Sequence, residues 1–481
     1  MITTSINPLA TITGDRTMWC GIPEQAMSYV IAEAVQKHSG TTVLFATDAN
    51  QAQRWFEELN FFLGKQSVPI ALFPDWETLP YDAFSPHQDI ISDRLRLLSK
   101  LPSWSQGIVI VPVITALHRL APTNYIQQHS LVLKNKDSLE LTSMREQLER
   151  SGYQCVSTVQ EHGEFAVRGS ILDIFPMGSK MPFRIELFDD EVESIRTFDP
   201  DNQRSVATLE SIEVLPAKEF PLHKNGISTF KNRWHTFFTS HRDVSIYDDV
   251  SKGISAPGIE YYLPLFFEQT ATLFDYLPKN TLMIYPRNLP EVVEHLWKDI
   301  QNRYTEYNID HRRPLLPPNE IFLRNEQFFE KVGAGKRLLV TAELLEEKAG
   351  VHAWNFQLPP ALHADHRETE PLKKLIAFAK SNVQLQCILC VESPGRRETL
   401  IDLLRNSGLS LQPVNSWLQA RQAAQKMDLH ICVGPLDRGF ILSDQSLIVL
   451  TEQDIFGQRV AQSRRRQRDA QSRLILENAI K

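Results

Sequence analysis

Apolar strand-like runs and helical patterns alternate through residues 23–117, and this alternation constrains the fold more than any other feature. Residues 23–38 carry apolar positions at helical spacing, with Pro23 suited to a first turn. Residues 40–48 read as a short buried strand opened by Gly40. Residues 49–64 are helical again, with Gly64 as the stop. Residues 68–75 and 107–117 read as further buried strands. Strands that alternate with helices predict a parallel sheet covered on both faces, the layout of a nucleotide-binding α/β domain.

The texture changes near residue 131. Residues 138–156 read as one helix with Gly152 just past its end, and several short strands with turns follow. This predicts a small α+β insertion over 131–216 with a core of its own. One of its strands, 183–188, alternates with a period of two. Phe183, Ile185 and Leu187 take one face, and Arg184, Glu186 and Phe188 the other. A large aromatic beside an arginine on the outer face needs a reason. The acidic run at 188–193 that follows reads as a hairpin turn rather than a metal cluster. Residues 217–350 return to a helical and looped texture. Residues 351–370, rich in proline and histidine, read as a linker, and 371–456 form a third α/β unit. The last stretch, 457–481, holds the densest basic cluster, Arg459 to Arg473, and reads as a solvated helix or linker.

With 481 residues the chain predicts several domains, and its 42% hydrophobic and 23% charged residues are ordinary for a globular protein. No run of about 18 apolar residues predicts a membrane span. Five scattered cysteines suggest free thiols in a reducing cytoplasm. Cys387 and Cys390 form a CxxC inside an apolar run, which predicts a buried strand and not a zinc site. A net charge of -7 argues against a dedicated nucleic-acid binder.

A domain of this layout invites a search for a phosphate loop. That loop needs glycines, a lysine for the phosphates and a hydroxyl for magnesium. The turn and helix are present after Gly21, but Ala26 and Met27 stand near where the lysine and hydroxyl are required. Gly335-Lys336 fails too, because Arg337 takes the hydroxyl position and a strand follows. Where an apolar strand should end on two acids, the chain reads Tyr285, Pro286, Arg287, Asn288. No GxSxG elbow occurs.

Residues 75–95 (DWETLPYDAFSPHQDIISDRL), 161–178 (EHGEFAVRGSILDIFPMG), 183–200 (FRIELFDDEVESIRTFDP), 258–267, 276–282 and 456–460 resemble the N-terminal region of the bacterial transcription-repair coupling factors. In that family this region is similar to the excision-repair protein UvrB. The resemblance implies an α/β fold: a degenerate P-loop, helicase-type α/β domain split into 1–130 and 217–350, carrying an inserted small α+β UvrA-binding domain at 131–216. A separate small α/β domain at 371–456 follows, and 457–481 leads towards an RNA-polymerase-binding domain outside this chain. The implied function is a non-catalytic adaptor that recruits UvrA to stalled RNA polymerase. In the full-length protein, an ATP-dependent DNA translocase, it helps restrain the motor. Carried over by motif, Arg168, Arg184 and Phe188 fall on UvrA-binding positions, with Glu186 a weaker candidate. No cofactor is expected for this chain, since ATP and magnesium belong to the motor domains. RNA polymerase and DNA would be reached through those other domains, and the chain is expected to be a cytoplasmic monomer. Two rival readings exist. An active UvrB-like ATPase or damage-binding protein is opposed by the missing lysine and acids. A DNA-binding module is opposed by the net charge.

Overall fold

The computed structural model describes residue 9 and residues 14–64, 68–238, 244–364, 372–382, 384–406, 409–423 and 429–457. It is a mixed α/β structure organised by a seven-stranded parallel sheet. Across the sheet the strands run Val351–Ala353, Arg16–Cys20, Lys336–Val340, Thr281–Pro286, Thr41–Ala46, Gly107–Pro112 and Ile70–Leu72. Thr41–Ala46 and Gly107–Pro112 are buried at every position, as a strand covered on both faces must be. The chain leaves this sheet after Pro112 and returns only at Thr281. The stretch 107–117, expected as one strand, is divided by Pro112. Proline cannot donate to the ladder, and Val113–Leu117 turns helical at once.

The excursion carries the inserted sheet. Its neck is a two-stranded antiparallel ribbon of Leu131–Lys134 against Ser211–Val214. Beyond the neck six strands lie in the order Ser205–Leu209, Glu191–Phe198, Phe183–Phe188, Ile171–Ile174, Glu164–Arg168, Gln154–Cys155. All neighbours are antiparallel except the last pair. The helix expected over 138–156 is confined to Leu141–Arg150. Glu140 accepts from the Ser143 amide at 2.9 Å and so starts the helix there, while Ser138 bridges to Glu191.

The insertion keeps a small buried cluster of its own in Val159, Ala166, Phe175 and Phe198, but the inner face of its sheet does not stand alone. Its inner face, including Phe165, Leu172, Ile185 and Leu187, joins Ile91, Leu95 and Leu98 of helix Gln88–Lys100 and the interior beneath the main sheet in one continuous buried set. A small sheet has little apolar area to bury by itself, so it takes a helix of the main domain as its floor. Polar contacts reinforce this region. Arg94 and Glu219 form an ion pair at 2.8 Å with side chains 0% and 3% exposed, and Trp76 Nε1 donates to the same carboxylate at 3.3 Å. The Ser92 hydroxyl accepts from the Gly178 amide at 2.8 Å.

The third unit is a six-stranded mixed sheet ordered Phe356–Gln357, Phe440–Leu442, Leu447–Thr451, Gln386–Val391, Leu429–Val433, Leu411–Pro413. Cys387 and Cys390 are buried in its central strand, with Cys390 Sγ 3.6 Å from Cys432 Sγ on the neighbouring strand. One face of this sheet packs on helices Met27–Lys37 and Ala49–Leu63. Those helices therefore lie between two sheets. That explains why Met27–Lys37 is apolar on nearly every side, with Tyr29 held among Phe62, Trp417 and Phe440. The stretch 351–370, expected as a linker, instead supplies strands to both sheets. Val351–Ala353 pairs with Arg16–Cys20, and Phe356–Gln357 pairs with Phe440–Leu442. Residues 365–370 of that stretch, and Arg459 to Arg473, lie outside the described residues. Among the described residues no helix is long and apolar enough to cross a membrane.

Candidate functional site

The outer face of the inserted sheet is built on a buried carboxylate. Asp173, at 0% side-chain exposure, stands in register with Arg184 on the next strand. Arg184 binds it with both fork nitrogens, Nε to Oδ1 at 2.7 Å and Nη2 to Oδ2 at 2.9 Å. Arg168 Nη2 also donates to Asp173 Oδ2. A charge removed from water must be paired, and a planar guanidinium matches a carboxylate on two atoms at once. Arg184 Nη1 donates to the Gln203 carbonyl at 3.2 Å, and its guanidinium lies 4.9 Å from the Phe198 ring centre. The hydrogen bonds to Asp173, more than any other influence, raise the Arg184 pKa above its usual value. Arg184 is therefore mostly enclosed, at 17% side-chain exposure, whereas Arg168 keeps 50%. Truncating Arg184 would leave the buried Asp173 charge without its bidentate partner, so the side chain serves the sheet as well as its surface.

Glu186 lies one row along the same face. It accepts from Ser194 Oγ at 2.9 Å and pairs with Arg196 at 3.4 Å. Phe188 ends the strand, faces Glu191 across a two-residue turn, and is 70% exposed. Asp189 begins that turn at φ 52, a left-handed conformation that aspartate tolerates better than most residues. The hairpin turn next door follows Arg168 and contains Gly169 at φ 62. The Leu187 amide donates to the Ser170 carbonyl at 2.9 Å, so the two turns sit side by side. Arg168 and Phe188 consequently occupy one rim of the sheet, while Arg184 and Glu186 lie inward of it. Asp173, Arg196 and Phe198 belong to this arrangement and were not singled out from the sequence. Only the register of four strands brings them together.

The position expected for a phosphate loop is taken up by the protein itself. At Gly21 (φ 70) the amide donates to Glu343 O at 2.9 Å, and the Ile22 amide donates to Thr341 O at 3.1 Å. A Cβ at Gly21 would come within 2.8 Å of the Trp354 carbonyl oxygen. These amides are spent on the backbone of 341–343 and are not aimed into an open cradle. Arg287, where an acid would be needed, pairs with Glu343. Near the start of helix Met27–Lys37 a cleft is lined by Glu24, Arg54, Glu58, Asp437 and Arg438. Burial pushes the Glu58 carboxyl up to about 7, and it accepts from Ser28 Oγ at 2.5 Å. The two arginines of this cleft stand against its acids, and Arg54 pairs with Glu24 at 2.6 Å.

Comparison with known proteins fits this division of the chain. Residues 131–220 match the model of the UvrB interaction domain, and residues 378–455 match the D3 domain of Mfd. The chain is 38% identical over 453 residues to the transcription-repair-coupling factor of Escherichia coli K12, covering 94% of this chain and 39% of that protein. It is 40% identical over 450 residues to the one from Haemophilus influenzae, covering 92% and 38%. The Bacillus subtilis factor is 26% identical over 472 residues, covering 93% and 39%. The chain thus matches the N-terminal region of transcription-repair-coupling factors and spans about two-fifths of the length of these curated relatives.

Proposed function

We propose that this chain, the counterpart of the N-terminal region of a transcription-repair-coupling factor, is a non-catalytic adaptor that docks UvrA on the rim of its inserted sheet. The observation that carries the proposal is Phe188, a phenylalanine 70% exposed beside an arginine anchored on a buried carboxylate. A ring held out from a rigid hairpin, next to a guanidinium that cannot swing freely, has the composition of an interface hot spot. Arg168 supplies the accessible charge, Arg184 and Glu186 the ordered polar floor, and UvrA is the partner to which the excision-repair relationship of residues 131–220 leads. Recruitment to a stalled RNA polymerase, and restraint of an ATP-driven motor, would involve the parts of such a factor beyond this chain. The spent amides at Gly21 and Ile22 support a domain that neither binds nor hydrolyses ATP.

The test is binding of purified UvrA to this chain. Phe188→Ala should weaken it about thirtyfold, the equivalent of a truncation costing about 2 kcal/mol. Its melting temperature should stay close to that of the parent. Leu187→Ala, which opens a cavity in the shared core, should instead lose about 2–5 kcal/mol of stability. Unchanged UvrA affinity in a folded Phe188→Ala chain would remove the rim from the interface.

A further inference from the structure

Two histidines meet where the inserted module joins the main domain. His129 ends helix Thr123–His129, just before the neck strand Leu131–Lys134, and His223 caps helix Lys224–Phe237, on the return side of the neck. Their Nε2 atoms are 3.1 Å apart, with the ring centroids 5.3 Å apart and the ring planes 11° from parallel. The other ring nitrogens decide where the protons are. His129 Nδ1 faces the Tyr125 carbonyl at 2.9 Å, which can only accept, so that nitrogen carries the hydrogen. His223 Nδ1 faces the Gly226 amide at 3.4 Å, which can only donate, so that nitrogen is bare. In the neutral pair, His223 Nε2–H therefore donates to the lone pair of His129 Nε2. One directional chain runs from the Gly226 amide through both imidazoles to the Tyr125 carbonyl.

We propose that His129 and His223 form an acid-released clasp that holds the two sides of the neck of the inserted module together. A further proton has only two places to go, and each breaks a link. On His129 Nε2 it confronts the hydrogen of His223 Nε2. On His223 Nδ1 it confronts the Gly226 amide at the positive end of a helix. The surroundings do not relieve the added charge. Lys224 and Lys231 of the helix, Lys252 and Arg150 line the cleft that His223 borders, against Glu146 and Glu149. Arg150 already pairs with Glu146, and Arg145 with Glu149. On the inner side, the Tyr125 ring packs tilted against His129 with centroids 4.5 Å apart and its hydroxyl donates to the Lys218 carbonyl, and Glu219 is engaged by Arg94. Burial, and next the His129 neighbour, hold His223 below the usual imidazole range. The sign follows. A histidine depressed in the folded state takes up more protons when the clasp is open, so the clasp is intact above about pH 6.5 and is lost as pH falls below it.

The whole chain is used for the test. Amide hydrogen exchange is compared at about pH 7.5 and about pH 5.5, corrected for the intrinsic pH dependence of exchange. Opening of the first turn of Lys224–Phe237 and of the ribbon Leu131–Lys134 with Ser211–Val214 should rise towards tenfold per pH unit below about pH 6.5. In the double variant His129→Gln, His223→Asn, where asparagine still caps the helix, that rise should be absent. Nitrogen-15 spectra of the parent at neutral pH should show hydrogen on Nδ1 of His129 and on Nε2 of His223. An acid response that survives in the double variant, no response in the parent, or the same tautomer at both residues would each overturn the clasp.

Discussion

Asp173 shows how one side chain can set the behaviour of two others. It is wholly buried, and Arg184 and Arg168 are what make that burial tolerable. Removing Arg184 should therefore cost fold stability as well as surface. Arg184→Ala is expected to lose about 3 kcal/mol in denaturant unfolding, because a buried charge loses its bidentate partner. Asp173→Ala combined with Arg184→Ala should recover part of that loss, and a double-mutant cycle checks the coupling. Alternation along 183–188 shows which residues share the outer face, but it cannot show that Arg184 is enclosed by Phe198 and Gln203. That depends on how the neighbouring strands Ile171–Ile174 and Glu191–Phe198 pair with it, a register the sequence does not spell out. Glu58 supplies a second case at this scale. Its carboxyl is pushed up to about 7 by burial, against an unfolded value near the usual 4.5. The folded chain thus holds the proton more tightly, so this group makes the protein less stable as pH rises from about 4.5 to about 7. Glu58→Gln should be stabilising by up to about 3 kcal/mol above pH 7, with the gain vanishing in acid when melting is followed against pH.

Helices and strands carry the next level of cause. Helix Gln88–Lys100 turns Ile91, Leu95 and Leu98 towards the inserted sheet and the interior, and places Arg94 among them. An arginine fully buried on an apolar stripe is stable there because Glu219 meets it as the chain comes back from the insertion. Its guanidinium also lies 4.5 Å and 5.2 Å from the Phe73 and Trp76 ring centres. Glu219→Ala would strand that charge and is expected to cost about 3–5 kcal/mol, read by urea unfolding. Arg94→Met together with Glu219→Ala should be much milder, since an apolar side chain suits the same stripe. Most elements were legible from period and punctuation, such as Ala49–Leu63 with Gly64 as its stop, while its Asp48 cap was not singled out. The errors at 107–117 and 138–156 have local causes. Pro112 interrupts an apolar run, and Glu140 offers a cap inside a helical-looking one.

At the scale of the molecule, the inserted module and the main domain share their interior. Deleting residues 131–215 would bare the inner side of helix Gln88–Lys100 and remove the sheet that covers one side of a continuous core. The remainder is expected to be aggregation-prone or to melt without a cooperative transition, checked by scanning calorimetry of the shortened chain. A sharp transition near that of the parent would show that the modules are independent. Module order could be read from the sequence because texture and resemblance both mark it. The sharing of interior could not, since one apolar position looks the same whether it faces its own sheet or a neighbour's. The stretch 351–357 has a mechanical consequence. Within a few residues it is zipped to the edge of the main sheet and then to the edge of the third, and Trp354 between them meets both Trp19 and Phe356. A pull applied beyond Gly457 would not first stretch a slack string. It would load two strand edges and the helix layer beneath them together, so the third unit would act as a lever that delivers force to the main sheet.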